Sequence, residues 1–175
     1  MAQLNTIARS GDPILRIIAA EVTNISDDEI QNLIDTLIDT ATAVDGVGMA
    51  APQLSHSYRL FVMASRPNSR YPYAPTMEPT AVINPRILSY SKEIVKDWEG
   101  CLSVPGIRGK VPRYDRIEVE YCDRNGNLVN QELSGFIARI FQHELDHLDG
   151  ILFTDRLESD LDRFTEAEYQ ALISG

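Results

Sequence analysis

The chain has few cysteines, which form disulfide bonds, and it lacks the long apolar runs that cross a bilayer. Its 175 residues include two cysteines, which allow one disulfide at most and exclude a disulfide-stapled fold. No run of roughly 18 apolar residues is present, so we expect no membrane-spanning helix. The first residues lack a charged stretch followed by an apolar one, so we expect no secretory signal and a cytoplasmic location.

Positive charge is also scarce. Lysine and arginine number 16 against 26 aspartate and glutamate residues, which gives a formal net charge of −10. A field of that sign repels phosphate backbones, so we expect no direct binding of nucleic acid. Apolar residues make up 43% of the chain and charged residues 24%, which are ordinary values for a globular protein. The length is typical of one domain, and we expect residues 1–175 to form it.

The pattern of apolar residues predicts a helix over residues 26–44. Ser26 and Glu29 resemble a capping box at its start, and Gly46 is suitably placed for a left-handed cap after its end. Between them, apolar residues recur with a period near 3.6, which is typical of a helix with one buried face. These residues are Ile30, Leu33, Ile34, Leu37, Ile38, Ala41 and Val44.

The middle of the chain predicts strands. Short β-favouring runs are bounded by proline, glycine, asparagine and serine, and the proline-rich stretch 65–80 is predicted to be a loop. The predicted strands are 59–64, 81–84, 94–98, and a hairpin of 117–121 with 128–133. A largely apolar helix is predicted at 135–148, and Thr165 with Glu168 predicts the cap of a short final helix. We therefore expect an α+β fold.

The predicted helix 135–148 contains the segment QHELDHLDG. His143 and His147 are four residues apart, so their imidazoles leave the same face one turn apart, and Glu144 lies beside them. Burying these groups unpaired in an apolar helix would cost several kcal/mol, which favours a shared divalent metal over a structural role. Glu144 would then serve as a base next to water at the metal.

A catalytic metal site of this kind needs a third protein ligand. The candidates are Cys101, in the glycine-flanked segment WEGCLSVPG, and the downstream carboxylates Glu166 and Glu168. His56 is the remaining histidine, and it lies upstream. We assign Cys122, at a strand end, to ordinary packing.

A third segment, GVGMAAPQ at residues 46–53, is rich in small residues. Such residues allow a peptide backbone to approach closely. A loop that merely follows a helix would not require a glycine at position 48. Gln53, at its end, is placed to present an amide N–H to a developing oxyanion.

In this order and spacing, GVGMAAPQ, EGCLS and QHELDHLDG resemble the three motifs of peptide deformylases, and the resemblance extends from about residue 7 to 157. It implies a single α+β domain with antiparallel and mixed sheets packed around a buried metal-binding helix. It also implies hydrolysis of the formyl group from the N-terminal formyl-methionine of nascent polypeptides, with release of formate.

The resemblance implies roles for individual residues. Cys101, His143 and His147 would be the metal ligands, Glu144 the general base and acid, and Gln53 with the Leu102 backbone N–H the oxyanion site. The metal would be Fe²⁺, with Zn²⁺, Ni²⁺ or Co²⁺ able to substitute; the sequence itself indicates a divalent ion with nitrogen and sulfur ligands. The expected substrate contacts are an apolar methionine slot, backbone groups that pair with an extended peptide, and one arginine. They are Val47, Phe136 and Ile140 for the slot, Gly48 and Gly100 for the backbone, and Arg108.

Two further expectations concern the periphery. Residues 155–175 carry six acidic and two basic side chains, so we expect transient proximity to the ribosome but no strong docking through this tail. Arg113 and Asp146 are expected to form an ion pair that supports the metal helix.

Two other functions are compatible with parts of the pattern. An HExxH zinc metallopeptidase would use a downstream carboxylate in place of Cys101. A non-catalytic metal-stabilised domain would need a fourth protein ligand, for which the sequence offers no well-placed histidine or cysteine.

Overall fold

The computed structural model describes residues 6–175, and within that range the chain forms two antiparallel sheets around one buried helix. The helices are α1 (Asp28–Ala43), α2 (Gly135–Leu148) and α3 (Glu166–Ser174). The strands are β1 (Gly48–Ala50), β2 (Leu60–Met63), β3 (Thr80–Tyr90), β4 (Ile94–Cys101), β5 (Val104–Tyr114), β6 (Arg116–Cys122), β7 (Leu128–Ser134) and β8 (Arg163–Thr165). One sheet has the order β1-β2-β3-β6-β7 and the other β4-β5-β8, which confirms the α+β fold class.

Helix α1 lies where the sequence predicts it, but both of its caps differ from prediction. The Asp27 carboxylate, not Ser26, accepts the Glu29 N–H at 3.0 Å, and Ser26 donates instead to the side chain of Asn24. A carboxylate at this end also interacts favourably with the helix dipole. At the other end Asp45 takes the left-handed conformation with φ 54°, and Gly46 is not among the residues of positive φ. Aspartate tolerates this conformation better than most side chains.

Two strands are longer than predicted, and three strands, β1, β5 and β8, were not predicted. β3 continues to Tyr90 and β4 to Cys101, and β5 pairs with β4 through a segment whose prolines and glycines indicate a loop. Pro105 and Pro112 lie outside residues 107–109, which pair with β8, so they remove no hydrogen bond to that third strand.

The predicted hairpin, loop and final helix are confirmed. β6 and β7 pair from Arg116 with Ser134 to Cys122 with Leu128, residues 65–79 form neither helix nor strand, and Thr165 caps α3 by accepting the Glu168 N–H. None of the described helices is long and apolar enough to cross a bilayer.

Helix α2 is buried against the five-stranded sheet. Phe141 is fully buried and meets the ring of Phe61 edge to face at 5.2 Å. Burial of a side chain of this size contributes about 2–3 kcal/mol. β1 ends the order of one sheet and β4 that of the other, and the cavity described below lies between them, over α2.

Candidate metal centre

Two structural elements bring three potential metal ligands together. α2 presents His143 and His147 from successive turns, and β4 delivers Cys101 at its last residue. One ligand atom of each residue lies within 4.8 Å of the others, and the Cys101 Sγ is 3.4 Å from His147 Nε2. The set is buried apart from a small exposed fraction of His143. One sulfur and two imidazole nitrogens suit a divalent transition metal, and three protein ligands leave a position for water.

The electrostatics favour the metal-binding thiolate at Cys101, whereas at His143 they favour the protonated ring, whose proton a metal would have to displace. Burial raises the pKa of the Cys101 thiol, but the nearby histidines outweigh burial and bring this pKa well below its ordinary value. The thiolate is the form that binds a metal. Burial lowers the pKa of His143, yet hydrogen bonds to Cys101 and Glu99 reverse this and raise it well above the usual value.

Glu99 orients His143, a role that was not predicted from the sequence. Its carboxylate lies 2.7 Å from His143 Nδ1, which leaves Nε2 of that ring for a metal. Arg113 donates two hydrogen bonds of 2.9 Å to the same carboxylate, and Arg139 donates one of 2.7 Å. The signals in the sequence were a carboxylate two residues before Cys101 and an arginine in the otherwise apolar helix α2, one turn before His143.

The predicted pair of Arg113 and Asp146 is confirmed, with Nη1 2.6 Å from Oδ2. Arg156 also donates to Asp146, at 2.8 Å. Arg113 therefore connects both carboxylates that lie around the metal helix, and it links strand β5 to α2.

Glu144 projects from α2 toward β1. Burial raises the pKa of this carboxyl group, although the two histidines oppose the effect. Its Oε2 has no hydrogen-bond partner within residues 6–175. A Cβ built on Gly48 would lie 2.8 Å from Oε1, so the missing side chain at Gly48 makes room for the carboxylate.

Gln53 lies in the short 3₁₀ turn that follows β1, with its side chain held at both ends. Its Oε1 accepts the Ala50 N–H at 2.9 Å, and its Nε2 donates to Ser103 Oγ at 3.1 Å. Nε2 also lies 3.7 Å from the Cys101 sulfur. Ser103, which the sequence did not single out, thus fixes the direction of this amide toward the ligand set.

The cavity beside the ligand set contains most of the predicted substrate residues. It encloses about 490 Å³ of empty space, part of it open to solvent. The lining residues named in the sequence analysis are Gly46, Val47, Gly48, Gln53, Gly100, Cys101, Leu102, Phe136, Ile140, His143 and Glu144. The lining also includes Arg70, Tyr71 and Trp98, which were not predicted from the sequence.

Arg108 is placed differently from the other predicted substrate residues. It is 2% exposed, lies outside the lining, and bonds Glu166 of α3 through Nε at 2.9 Å. Glu168 is occupied in capping the same helix, since its carboxylate accepts the Thr165 N–H. Both downstream carboxylates are therefore engaged away from the two histidines, which disfavours a metallopeptidase ligand set.

Comparison with known proteins is consistent with this site. The polypeptide deformylase family model matches residues 4–163. A curated peptide deformylase 2 from a Nostoc species is 62% identical over 172 residues, 98% of this chain and 96% of the relative. A peptide deformylase 1 from Prochlorococcus marinus is 46% identical, over 86% of this chain and 79% of the relative.

Solved structures agree with the sequence relatives. A Met-Ala-Ser-bound class I type b peptide deformylase from Acinetobacter baumannii has a TM-score of 0.86 and 43% identity, covering 90% of this chain and 100% of that chain. The Thermotoga maritima peptide deformylase has a TM-score of 0.80 and 41% identity, covering 90% and 99%. This chain therefore belongs to the peptide deformylases, metal-dependent hydrolases that remove the formyl group from newly made polypeptides.

Proposed function

We propose that this deformylase acts on nascent chains that begin with N-formylmethionine, and that it uses an Fe²⁺ ion held by Cys101, His143 and His147. The observation that carries the proposal is the grouping of these ligand atoms within 4.8 Å beside a buried carboxylate. Zn²⁺, Ni²⁺ or Co²⁺ would substitute, because each accepts nitrogen and sulfur ligands. When bound, the ion supplies Lewis acidity that makes a water molecule a stronger nucleophile near neutral pH.

Glu144 moves the proton in the proposed reaction. Its carboxylate accepts a proton from the attacking water, whose oxygen forms the bond to the formyl carbon. The same carboxyl group then donates that proton to the peptide nitrogen as the carbon–nitrogen bond breaks, which gives formate and a free N-terminus. The raised pKa supports both roles, because it lies nearer to the working pH.

Gln53 and Leu102 stabilise the charge that develops on the formyl oxygen. The hydrogen bonds of Gln53 to Ala50 and Ser103 support a fixed direction of its Nε2, and such preorganised donors need little rearrangement during reaction. The backbone N–H of Leu102 is the second donor.

The substrate peptide enters between β1 and β4. Val47, Phe136 and Ile140 form the apolar slot for the methionine side chain, and Gly48 with Gly100 offer backbone groups to an extended peptide. The Gly100 N–H now donates to the Tyr71 hydroxyl at 3.3 Å, which a peptide would replace. Arg108 remains a proposed contact, because its buried Nη1 has no partner within residues 6–175.

We place the enzyme in the cytoplasm, near ribosomes only transiently. The net charge of −10 and the acidic tail 155–175 disfavour nucleic-acid binding and ribosomal RNA docking. Cosedimentation with ribosomes that disappears on deletion of 155–175 would contradict this part of the proposal.

Formate release from a formyl-methionyl peptide, assayed without oxygen and with iron or nickel, tests the activity. We expect turnover with either metal, and loss of both turnover and metal binding in Cys101→Ala. A variant that binds metal and cleaves internal peptide bonds without this cysteine would favour the metallopeptidase instead.

A further inference from the structure

Each charged group in the cavity wall has an ion-pair partner or a role in the proposed reaction, with one exception. The charged side chains of the lining are those of Arg70, Glu99, Arg139 and Glu144, besides His143. Glu99 and Arg139 bond to each other at 2.7 Å. Glu144 lies against Gly48 of β1 and already has a role as the proton carrier of the proposed reaction. Arg70 remains as the cation of the cavity lining that has neither a partner nor such a role.

Arg70 lies in the loop between β2 and β3 and is only half-buried. Its guanidinium lies 5.8 Å from the centre of the Tyr71 ring, and its Nη2 would be 3.1 Å from a Cβ on Gly100. Within residues 6–175, no carboxylate is within ion-pair distance of this guanidinium, and its side-chain nitrogens have no hydrogen-bond partner.

Glu166 is a carboxylate on which the charge of Arg70 acts, but it is already bound by Arg108. The hydrogen bond from Arg108 is the main cause of the lowered pKa of Glu166, and the charge of Arg70 adds to it. Arg70 therefore acts on this region as a free positive charge. In a chain of net charge −10, an uncompensated arginine in a substrate cavity is unexpected unless an anion binds there.

We infer that Arg70 gives this enzyme a preference for formyl-methionyl peptides with an acidic side chain at the second or third residue. The inference rests on the proposed function, because it assumes that the peptide lies along β4. Gly100 directly precedes the ligand Cys101, and an extended chain advances about 3.3 Å per residue. The first residues after methionine therefore pass close to the Arg70 guanidinium.

The effect must be local. The overall negative charge of the protein repels acidic peptides at long range, so the preference arises from a direct contact in a partly shielded cavity. For such a pair we expect roughly a three- to tenfold change in kcat/KM, since partly exposed ion pairs are modest in strength. The preference should decrease as salt concentration rises.

The test compares C-terminally amidated peptides, which carry no terminal carboxylate. Formyl-Met-Ala-Ser amide is the neutral reference, with formyl-Met-Asp-Ser, formyl-Met-Ala-Asp and formyl-Met-Ala-Lys amides beside it. We expect wild-type kcat/KM to be highest for at least one aspartate peptide and lowest for the lysine peptide. Arg70→Gln should remove this order, and Arg70→Glu should reverse it.

Arg86→Gln is the matched control. Arg86 is 68% exposed on β3, lies outside the cavity lining and pairs with Glu120. The Arg86→Gln variant changes the net charge by the same amount as Arg70→Gln. It should nevertheless keep the wild-type order of kcat/KM among the peptides. The inference would be overturned if both aspartate peptides had the same wild-type kcat/KM as the formyl-Met-Ala-Ser reference. It would also be overturned if the preference persisted in Arg70→Gln.

Binding of the unformylated peptides, measured by calorimetry, separates this inference from the proposed function. A lower Kd for Met-Ala-Asp or Met-Asp-Ser amide than for Met-Ala-Ser amide, lost in Arg70→Gln, would support the charge preference without turnover. Absence of turnover on every formyl peptide by metal-loaded enzyme would overturn the proposed function, whereas turnover without charge preference would overturn this inference alone.

Discussion

At the scale of single residues, Gly48 connects the small-residue motif to the chemistry. Its φ is not positive, so backbone strain does not explain the glycine. The explanation is space, because a Cβ would lie 2.8 Å from Oε1 of Glu144. The sequence indicated that small residues were needed at 46–53, but only the fold shows that a carboxylate from α2 fills the gap.

We predict that Gly48→Ala lowers kcat/KM by about 100-fold or more, because displacing a reacting group by about 1 Å has effects of that size. Metal content should stay unchanged, since the ligands are not touched. Gly46→Ala is the control: a Cβ there meets its nearest atom at 3.5 Å, an ordinary contact. Steady-state kinetics with metal analysis checks both variants, and wild-type activity in Gly48→Ala would contradict the packing argument.

At the scale of elements, α2 is held by buried charges as well as by apolar packing. Glu99 of β4, Arg113 of β5 and Asp146 of α2 form a connected set of ion pairs. Since their desolvation has already been compensated by mutual hydrogen bonds, removing one partner leaves uncompensated charge in the interior.

We predict that Glu99→Gln lowers the free energy of unfolding of the metal-free protein by about 3–5 kcal/mol, because Arg113 and Arg139 lose their anion. Urea unfolding measures this difference. Asp35→Asn removes the exposed partner of Arg124 and should change stability by at most about 1 kcal/mol. Similar values for the two variants would show that the buried set contributes little.

The link between α3 and β5 is expected to depend on pH. The hydrogen bond from Arg108 lowers the pKa of Glu166 against the opposing effect of burial. A lowered carboxyl pKa stabilises the fold above the unfolded value of about 4.3, and this stability is lost as pH falls through the folded value. Glu166 is 43% exposed, so solvent screening limits the contribution to about 1 kcal/mol.

Glu166→Gln should therefore lower Tm by about 2–4 °C at pH 7, and the difference should shrink as pH falls below the unfolded value of about 4.3 and through the folded pKa of Glu166. Thermal unfolding at several pH values checks this. A Tm difference that is constant from pH 7 to pH 3 would contradict the ionic origin of the contact.

The sequence predicts some elements well and others poorly, for physical reasons. The 3.6-residue period located α1, and the two β-favouring runs 117–121 and 128–133 located the β6–β7 hairpin, because both are local signals. β5 was missed because its prolines and glycines resemble those of a loop, and because one of its two partner strands, β8, lies far along the chain. Glu99 was missed for the same reason, because its partners Arg113 and Arg139 meet it only in the folded protein.

At the scale of the whole molecule, a bound ion would connect the two sheets through α2. Cys101 belongs to the three-stranded sheet, whereas α2 packs on the five-stranded one. A ligand that binds only the folded state stabilises it by about 2.7 kcal/mol at a concentration 100 times its Kd.

Chelation of the metal should therefore lower Tm by roughly 5–10 °C. Cys101→Ala should abolish the response of Tm to added metal, and Cys122→Ala, on β6 away from the ligand set, should retain it. An equal response in both variants would show that this thiol does not bind the stabilising ion.

The most direct measurement is anomalous X-ray diffraction from crystals of the zinc-loaded protein. We expect one ion bonded to the Cys101 sulfur at about 2.3 Å and to one nitrogen of each of His143 and His147 at about 2.1 Å, with a fourth position left to water. An ion bound through Glu166 or Glu168 in place of the sulfur, or no ion between the two imidazoles, would contradict this expectation.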